Sequence, residues 1–409
     1  MEDIMADFYQ NGVITTIQNI KKRNIDDFEK DLLENAKNRK IALLLPSLYS
    51  EFERPAMYKI LEELKKTRSV HMIVLSLDQA NKQQFLEVKN IMKDLPQKVR
   101  IIWNHGDRMQ SLYDELIKEG FPLNIPGKGR VVWMALGYLL ADNSSYAIAL
   151  HDCDIINYEK GLVEKLVYPI VHRGLNYEFS KGYYARVTDR IYGRVKRLFY
   201  VPLIRALRSI VGPNDFLEYL DSFRYALSGE FAIIRDLARN IRFSPTWGLE
   251  VSLLSEIYYN TATNRICEVE IMDTYEHKHS EINPSSPTTG LLKMAADIAK
   301  TLFRILSQHS IVMSDSFFRT LISTYFQESS TAVESYNALA KFNGLKFDRH
   351  DEINAIESYS KAIESAKDEF INNPIGGIRM ISPWARVDSG LPFFSSKLYE
   401  YVELDNKDV

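Results

Sequence analysis

Ala147-Ile-Ala-Leu150, followed at once by His151-Asp152-Cys153-Asp154, decides how this chain is read. A short apolar run that ends in a cluster of acids describes a buried strand running out into a polar, ligand-facing loop. Working back from there, similar runs stand at Ile41-Ala-Leu-Leu-Leu-Pro46, Met72-Ile-Val-Leu-Ser-Leu77 and Val99-Arg-Ile-Ile-Trp103. Amphipathic stretches lie between them or before the last of them, at Pro55 to Thr67, Asn81 to Met92 and Arg130 to Leu140. Strand and helix alternate, so the expected fold is α/β, a mostly parallel sheet flanked by helices. In such sheets ligands bind beyond the carboxyl ends of the strands, which is where Asp152 and Asp154 fall.

Outside this region, residues 1–40 are polar with a helical pattern and read as a helical leader, while residues 164–248 read as mainly helical. Residues 265–273 alternate apolar and polar with period 2, as a half-buried strand does. Asn283-Pro-Ser-Ser-Pro-Thr-Thr-Gly290 is the clearest loop signal, and long amphipathic helical patterns follow it. The expected division is a leader at 1–40, an α/β domain at 41–285 and a C-terminal helical extension at 286–409.

Composition narrows the function classes. Of 409 residues, 45% are hydrophobic and 26% charged, the balance of a globular protein. Lys plus Arg number 51 against 54 Asp plus Glu, a formal charge of -3 that disfavours a general nucleic-acid binder. The two cysteines, Cys153 and Cys267, give neither a disulfide framework nor zinc spacing, and point to a reducing compartment. The first residues are acidic where a signal peptide is basic, and no run approaches the roughly 18 apolar residues of a transmembrane helix, so the expected location is cytoplasmic.

Five stretches could carry chemistry. Asp152 and Asp154, at i and i+2 on extended chain, face one side and can address one hard divalent cation; the alternative is a polar turn. Theirs is the only Asp-x-Asp in the chain. Pro126-Gly127-Lys128-Gly129 opens the preceding helix, where paired glycines let backbone N–H groups approach an anion, or simply form a tight turn. Lys181 to Arg208 holds eight basic residues against one acid, Asp189. Much of that run is expected to be a solvated face, although Arg186 and Thr188 form a convergent donor pair for a phosphate or carboxylate. His277 and His279 share a face if the strand at 265–273 continues, and either imidazole could join Asp154 in a mixed oxygen and nitrogen metal site. Ser228-Gly229-Glu230 and Trp247-Gly248-Leu249-Glu250 each set a carboxylate beside a glycine, permitting close approach to a ligand, with Trp247 able to stack on a sugar face. The alternatives are a helix start capped by Ser228 and a turn before a helix at Val251 to Tyr259.

Taken in order, these elements resemble retaining nucleotide-sugar glycosyltransferases of the GT-A fold, and most closely the glucosyl-3-phosphoglycerate synthases with their mannosyl relatives. The resemblance rests on Pro46, Gly-Lys-Gly at 127–129, Asp-x-Asp at 152–154, Arg-Val-Thr at 186–188, Leu-Ser-Gly-Glu at 227–230, Gly-Leu-Glu at 248–250 and His277. It implies a Rossmann-like sheet and transfer of a hexose from a nucleoside diphosphate sugar, UDP- or GDP-glucose, to 3-phosphoglycerate, with retention and with Mg²⁺ or Mn²⁺. It further implies a nucleotide-sugar half at 41–155 and an acceptor half at 156–285. Asp154 and His277 would be the metal ligands, with Asp154, Lys128 and Glu250 at the reacting centre. The nucleotide sugar would meet Pro46, Leu48, Glu51, Asp78, Lys128, Asp152 and Cys153, with Leu227, Trp247 and Glu250 around the transferred sugar. Arg186, Val187, Thr188 and His279 would hold the acceptor. The alternatives are a mannose donor, a glycerate, lipid or polysaccharide acceptor, a nucleotidyltransferase, or a sugar-nucleotide-binding protein without turnover. A homodimer is expected from the aromatic-rich C-terminal helices.

Overall fold

Three of the apolar runs become inner strands because both of their faces can be covered, and the fourth becomes an edge strand. In this computed structural model, which describes residues 10, 12–21, 23–276, 289–373 and 379–407, the strands are β1 (Thr15–Ile17), β2 (Ile41–Leu48), β3 (Val70–Asp78), β4 (Lys98–Trp103), β5 (Ala147–Leu150), β6 (Phe179–Ala185), β7 (Phe231–Ile234) and β8 (Ile266–Thr274). They form one sheet in the order β1-β8-β6-β7-β5-β2-β3-β4. Only β7 runs against its neighbours, pairing antiparallel with both β5 and β6.

Period-2 alternation sends successive side chains of each strand into different cores. Ala42, Leu44, Met72, Val74, Ile148 and Leu150 point to one face, where they meet the helix Lys128–Asp142 and the apolar residues of the C-terminal helices. Ile41, Leu43, Leu45, Ile73, Leu75, Ala147 and Ala149 point to the other, against the helices Ile25–Ala36, Pro55–Lys66, Lys82–Met92 and Gly161–Val171. Pro46 is tolerated inside β2 because pairing with β5 has already ended at Leu44–Leu150, so its missing N–H leaves no gap in that ladder.

Lys128–Asp142 is apolar nearly all round because it is covered twice, by the sheet and by the C-terminal segment. Trp133 stacks on Trp384 with centroids 4.3 Å apart, and each indole N–H donates across the contact: Trp133 to the Ser382 carbonyl at 2.9 Å, Trp384 to the Trp133 carbonyl at 2.8 Å. The chain ends in the helix Phe394–Asn406, whose Glu403 holds Arg100 of β4 through two bonds of 2.8 and 2.9 Å and accepts from Tyr138 at 2.7 Å.

Two expectations are corrected. The region 164–248 is not mainly helical: it contributes β6 and β7 to the sheet as well as helices. Among the described residues of 1–40 the helix covers Ile25–Ala36, with Thr15–Ile17 instead extending the sheet beside β8. Among the described residues no helix is long and apolar enough to cross a membrane.

Candidate active site

Beyond the carboxyl ends of β2, β3 and β5 opens a cavity of about 1480 Å³. The end of β2 and the turn after it supply Pro46, Leu48 and Glu51; β3 supplies Asp78; the segment after β5 supplies Asp152, Cys153 and Asp154. Lys128 enters from the first turn of its helix, Arg186 from the end of β6, Leu227 and Gly229 from the turn before β7, and Trp247 and Glu250 from the start of the helix Leu249–Asn260. Residues 346–358 of the C-terminal helices close the far wall.

His151 holds the acidic segment in place. Fully buried, it donates from Nδ1 to the Asp152 carbonyl at 2.9 Å, which leaves Nε2 to accept from the Tyr158 hydroxyl at 3.0 Å. Burial pushes its pKa down to about 4, so the ring is neutral at pH 7 and this tautomer is fixed.

Lys128 Nζ lies 2.6 Å from Asp152 Oδ1 and 3.3 Å from Glu250 Oε1. Burial opposes its charge, but Asp152 and Glu250 outweigh burial and hold the ammonium well above the ordinary lysine range. Asp154 shows the opposite balance: burial first, then the charges of Asp152 and Glu51, push its carboxyl up to about 7. Carboxylates crowded in this way favour a cation between them. Among the described residues no three His, Cys, Asp or Glu side chains are grouped to hold a metal, and His277 and His279 lie outside the described residues. A hard ion such as Mg²⁺ needs only one or two carboxylates when phosphate oxygens and water complete its shell, so the acidic pair fits that cation.

Two carboxylates on the cavity wall keep buried oxygens without a hydrogen-bond donor among the described residues, Asp78 Oδ1 and Glu51 Oε2, the latter 3.7 Å from Arg54 Nη1. His105 Nδ1 is 3.1 Å from Asp78 Oδ1 and 3.2 Å from the Gln79 N–H, and in the tautomer in which it accepts from Gln79 it leaves the acid without a donor. These oxygens suit ligand hydroxyls. Cys153 is no nucleophile: burial, then Asp152 and Asp154, raise its thiol well above the ordinary range.

The basic run is mostly neutralised internally. Glu352 of the helix Arg349–Asn372 takes Arg194 and Arg197, each at 2.8 Å, and Asp221 takes Arg205 and Arg208. Among the described residues Arg186 has no carboxylate partner: its Nη1 donates to the Tyr225 hydroxyl at 3.1 Å, and its Nε is buried without an acceptor there. Val187 and Thr188 do not line the cavity, because a bridge between Val187 and Ile191 turns the chain and leaves Thr188 exposed, bonded to Asp189 at 3.2 Å.

The glycines also serve packing. A Cβ on Gly127 would sit 2.5 Å from the Pro245 carbonyl oxygen, and one on Gly129 1.9 Å from that of Ser244. The pair therefore lets the helix start pack on residues 244–245, which brings Lys128 to Glu250. Ser228 caps no helix; its hydroxyl donates to the Gly182 carbonyl at 2.7 Å. Glu230 is buried behind the site, accepting from Tyr275 at 2.6 Å and Tyr184 at 2.7 Å, and burial, then Asp152, raises its pKa. Sequence reasoning missed this tyrosine pair, stacked at 3.7 Å, and also Tyr225 and Gln79. Gln79, at φ 54°, follows the last residue of β3, so the carboxyl-end rule alone could have marked it.

A mostly parallel sheet carrying a paired acidic motif beyond a central strand, with a committed lysine opposite, defines a nucleotide-sugar glycosyltransferase of the GT-A fold. The chain belongs to the glucosyl-3-phosphoglycerate synthase family. It is 59% identical over 404 residues to the glucosyl-3-phosphoglycerate synthase of Persephonella marina, covering 99% of this chain and 100% of that one. To the enzyme of that name from Methanococcoides burtonii it is 36% identical over 414 residues, 98% of each chain. A crystal structure of glucosyl-3-phosphoglycerate synthase from Mycobacterium tuberculosis, in complex with Mn²⁺, UDP-glucose and phosphoglyceric acid, shares the fold at a TM-score of 0.50 and 22% identity, over 69% of this chain and 84% of that one. No protein-family model matches.

Proposed function

We propose that this protein transfers glucose from a nucleoside diphosphate glucose to the 2-hydroxyl of 3-phosphoglycerate, with retention, giving glucosyl-3-phosphoglycerate and the free nucleoside diphosphate. The full-length relationship at 59% identity to a synthase of that name carries the reading. The C1–oxygen bond of the donor breaks, the acceptor oxygen bonds to C1 from the same face, and its proton passes to the departing phosphate oxygen. Such a route needs no protein nucleophile, in keeping with the inert Cys153 thiol.

Asp154, with His277 by the family pattern, would hold Mg²⁺ or Mn²⁺, which supplies positive charge to the diphosphate leaving group. Lys128, kept protonated by Asp152 and Glu250, adds a second cation at that diphosphate. Asp78 and Glu51 take donor hydroxyls, Leu227, Trp247 and Glu250 border the sugar, and Arg186 takes the anionic acceptor, with His279 and Thr188 assigned to the acceptor by the family pattern alone. We place the protein in the cytoplasm, in keeping with two buried, unpaired cysteines, and as a homodimer through the helical region bearing the exposed Phe342. Light scattering that gives a monomer at micromolar concentration would refute the dimer.

The test is a matrix of UDP- and GDP-sugars against 3-phosphoglycerate, glycerate and no acceptor, with Mg²⁺, read as nucleoside diphosphate release. Release with a glucose donor is expected to depend on 3-phosphoglycerate. Absence of acceptor-dependent release with every donor overturns the proposal.

A further inference from the structure

Lys181 stands in the middle of the sheet, on β6, and is only 1% exposed. Burying an ammonium is costly unless its charge is used. No carboxylate pairs with it among the described residues; its Nζ donates to the Ser228 carbonyl at 2.5 Å and lies 5.8 Å from the centroid of the Phe231 ring. Burial lowers its pKa to about 8 against the pull of Glu250 and Glu230, which still leaves the charged form dominant at pH 7.

Two further bonds run between the same segments: Ser228 Oγ donates to the Gly182 carbonyl at 2.7 Å, and the Gly182 N–H donates to the Glu230 carbonyl at 2.9 Å. Residues 181–182 thus lace down the turn at 227–230. That turn holds Gly229 against the Asp152 carboxylate, so close that a Cβ would lie 2.3 Å from Oδ2, and it puts Leu227 and Gly229 on the cavity wall.

We propose that Lys181 is a positioning residue for glucose transfer: by fixing the Ser228 carbonyl from beneath, it sets the Leu227–Glu230 turn against Asp152 and so shapes the seat of the transferred sugar. The inference rests on the glucosyltransferase reading above. It distinguishes the sugar seat from the nucleotide seat, because Pro46 and Asp78 belong to β2 and β3 and Glu51 to the turn after β2, none of which pairs with β6.

The experiment uses the full chain with Lys181→Met, which keeps the length of the side chain and removes its donor, with folding followed by circular dichroism. The expected result is a loss of about tenfold or more in kcat/KM for UDP-glucose, with UDP–Mg²⁺ affinity and the 3-phosphoglycerate KM within about threefold of wild type. Wild-type kcat/KM for the donor in a folded Lys181→Met protein overturns the inference, as does an equal loss of UDP affinity, which a merely structural role gives. If Lys181→Met does not fold, Ser228→Ala carries the test, since it removes one brace of the same turn: a selective fall in donor kcat/KM supports the inference and wild-type kinetics overturn it. Acceptor-dependent UDP release by the wild-type protein is measured beside them, and its absence overturns the glucosyltransferase reading itself, whatever the variants do.

Discussion

Gly229→Ala offers a clean probe of the site because its consequence is confined to one neighbour. The three atoms nearest a Cβ at this position all belong to Asp152: Oδ2 at 2.3 Å, Cγ at 2.6 Å and Oδ1 at 2.8 Å. Ordinary contact begins near 3.4 Å, so the carboxylate must retreat by about 1 Å. Its 2.6 Å contact with Lys128 is then stretched beyond hydrogen-bond range, and the lysine that also bonds Glu250 at 3.3 Å loses its principal anchor. A misplacement of about 1 Å in a reacting constellation costs about 100-fold, or about 2.7 kcal/mol in the barrier. The backbone of Gly229 is not in the left-handed region, so the fold is not strained, and the melting temperature is expected to stay within a few degrees of wild type. Steady-state kinetics with UDP-glucose and 3-phosphoglycerate read the loss, and a cycle with Asp152→Ala assigns it. In the Asp152→Ala background the three atoms nearest the added methyl group are gone, so the double variant should be little slower than Asp152→Ala alone. Wild-type activity in Gly229→Ala, or fully additive losses, would refute the reasoning.

Other perturbations test separate parts of the account. Arg186→Ala should raise the KM for 3-phosphoglycerate by about 10- to 100-fold, the range of a lost charge-assisted hydrogen bond, while activity on unphosphorylated glycerate changes less; equal effects on both would remove Arg186 from the phosphate. Trp384→Ala should cost about 3–5 kcal/mol by chemical denaturation, because it empties the stack on Trp133 beside Gly137. Glu164 is fully buried, and burial followed by the charge of Glu29 raises its pKa to about 8. Its neutral form is the folded one, so its contribution is complete below the unfolded value of 4.5 and is lost as pH rises through about 8. Denaturation curves should show wild-type stability falling over that window more than that of Glu164→Gln, by a few kcal/mol in order of magnitude; parallel pH profiles would contradict this.

The part of the fold legible in the sequence is the part built on apolar or alternating runs. The strands β2, β3 and β5 are near-continuous apolar runs buried on both faces, the edge strand β4 keeps an apolar Ile-Ile-Trp end, and the strand at β8 keeps its alternation. By contrast β6 reads Phe-Ser-Lys-Gly-Tyr-Tyr-Ala, where a lysine and a glycine break any apolar pattern; the lysine is inside only because a carbonyl 47 residues away receives it. The four-residue β7 and three-residue β1 are too short to show a period. The site followed the same division. Asp152, Asp154 and Lys128 were visible because they sit at strand and helix ends, where ligands bind. Glu230 and its tyrosines depend on the pairing of β6 with β7 and β8, which no local signal announces. The wall at 346–358 depends on helices that return from far along the chain, and Glu352 turns what reads as a basic surface into an internal ion-pair network.

The central claim is one transfer to one acceptor, and the product tests it most directly. Wild-type protein, UDP-glucose, 3-phosphoglycerate and Mg²⁺ are incubated together, and the mixture is read by mass spectrometry and proton NMR. The account predicts one new compound, glucose α-linked to the 2-oxygen of 3-phosphoglycerate, formed in step with UDP and absent when 3-phosphoglycerate is withheld. Free glucose and UDP released at the same rate with or without 3-phosphoglycerate, or a β-linked product, would contradict it.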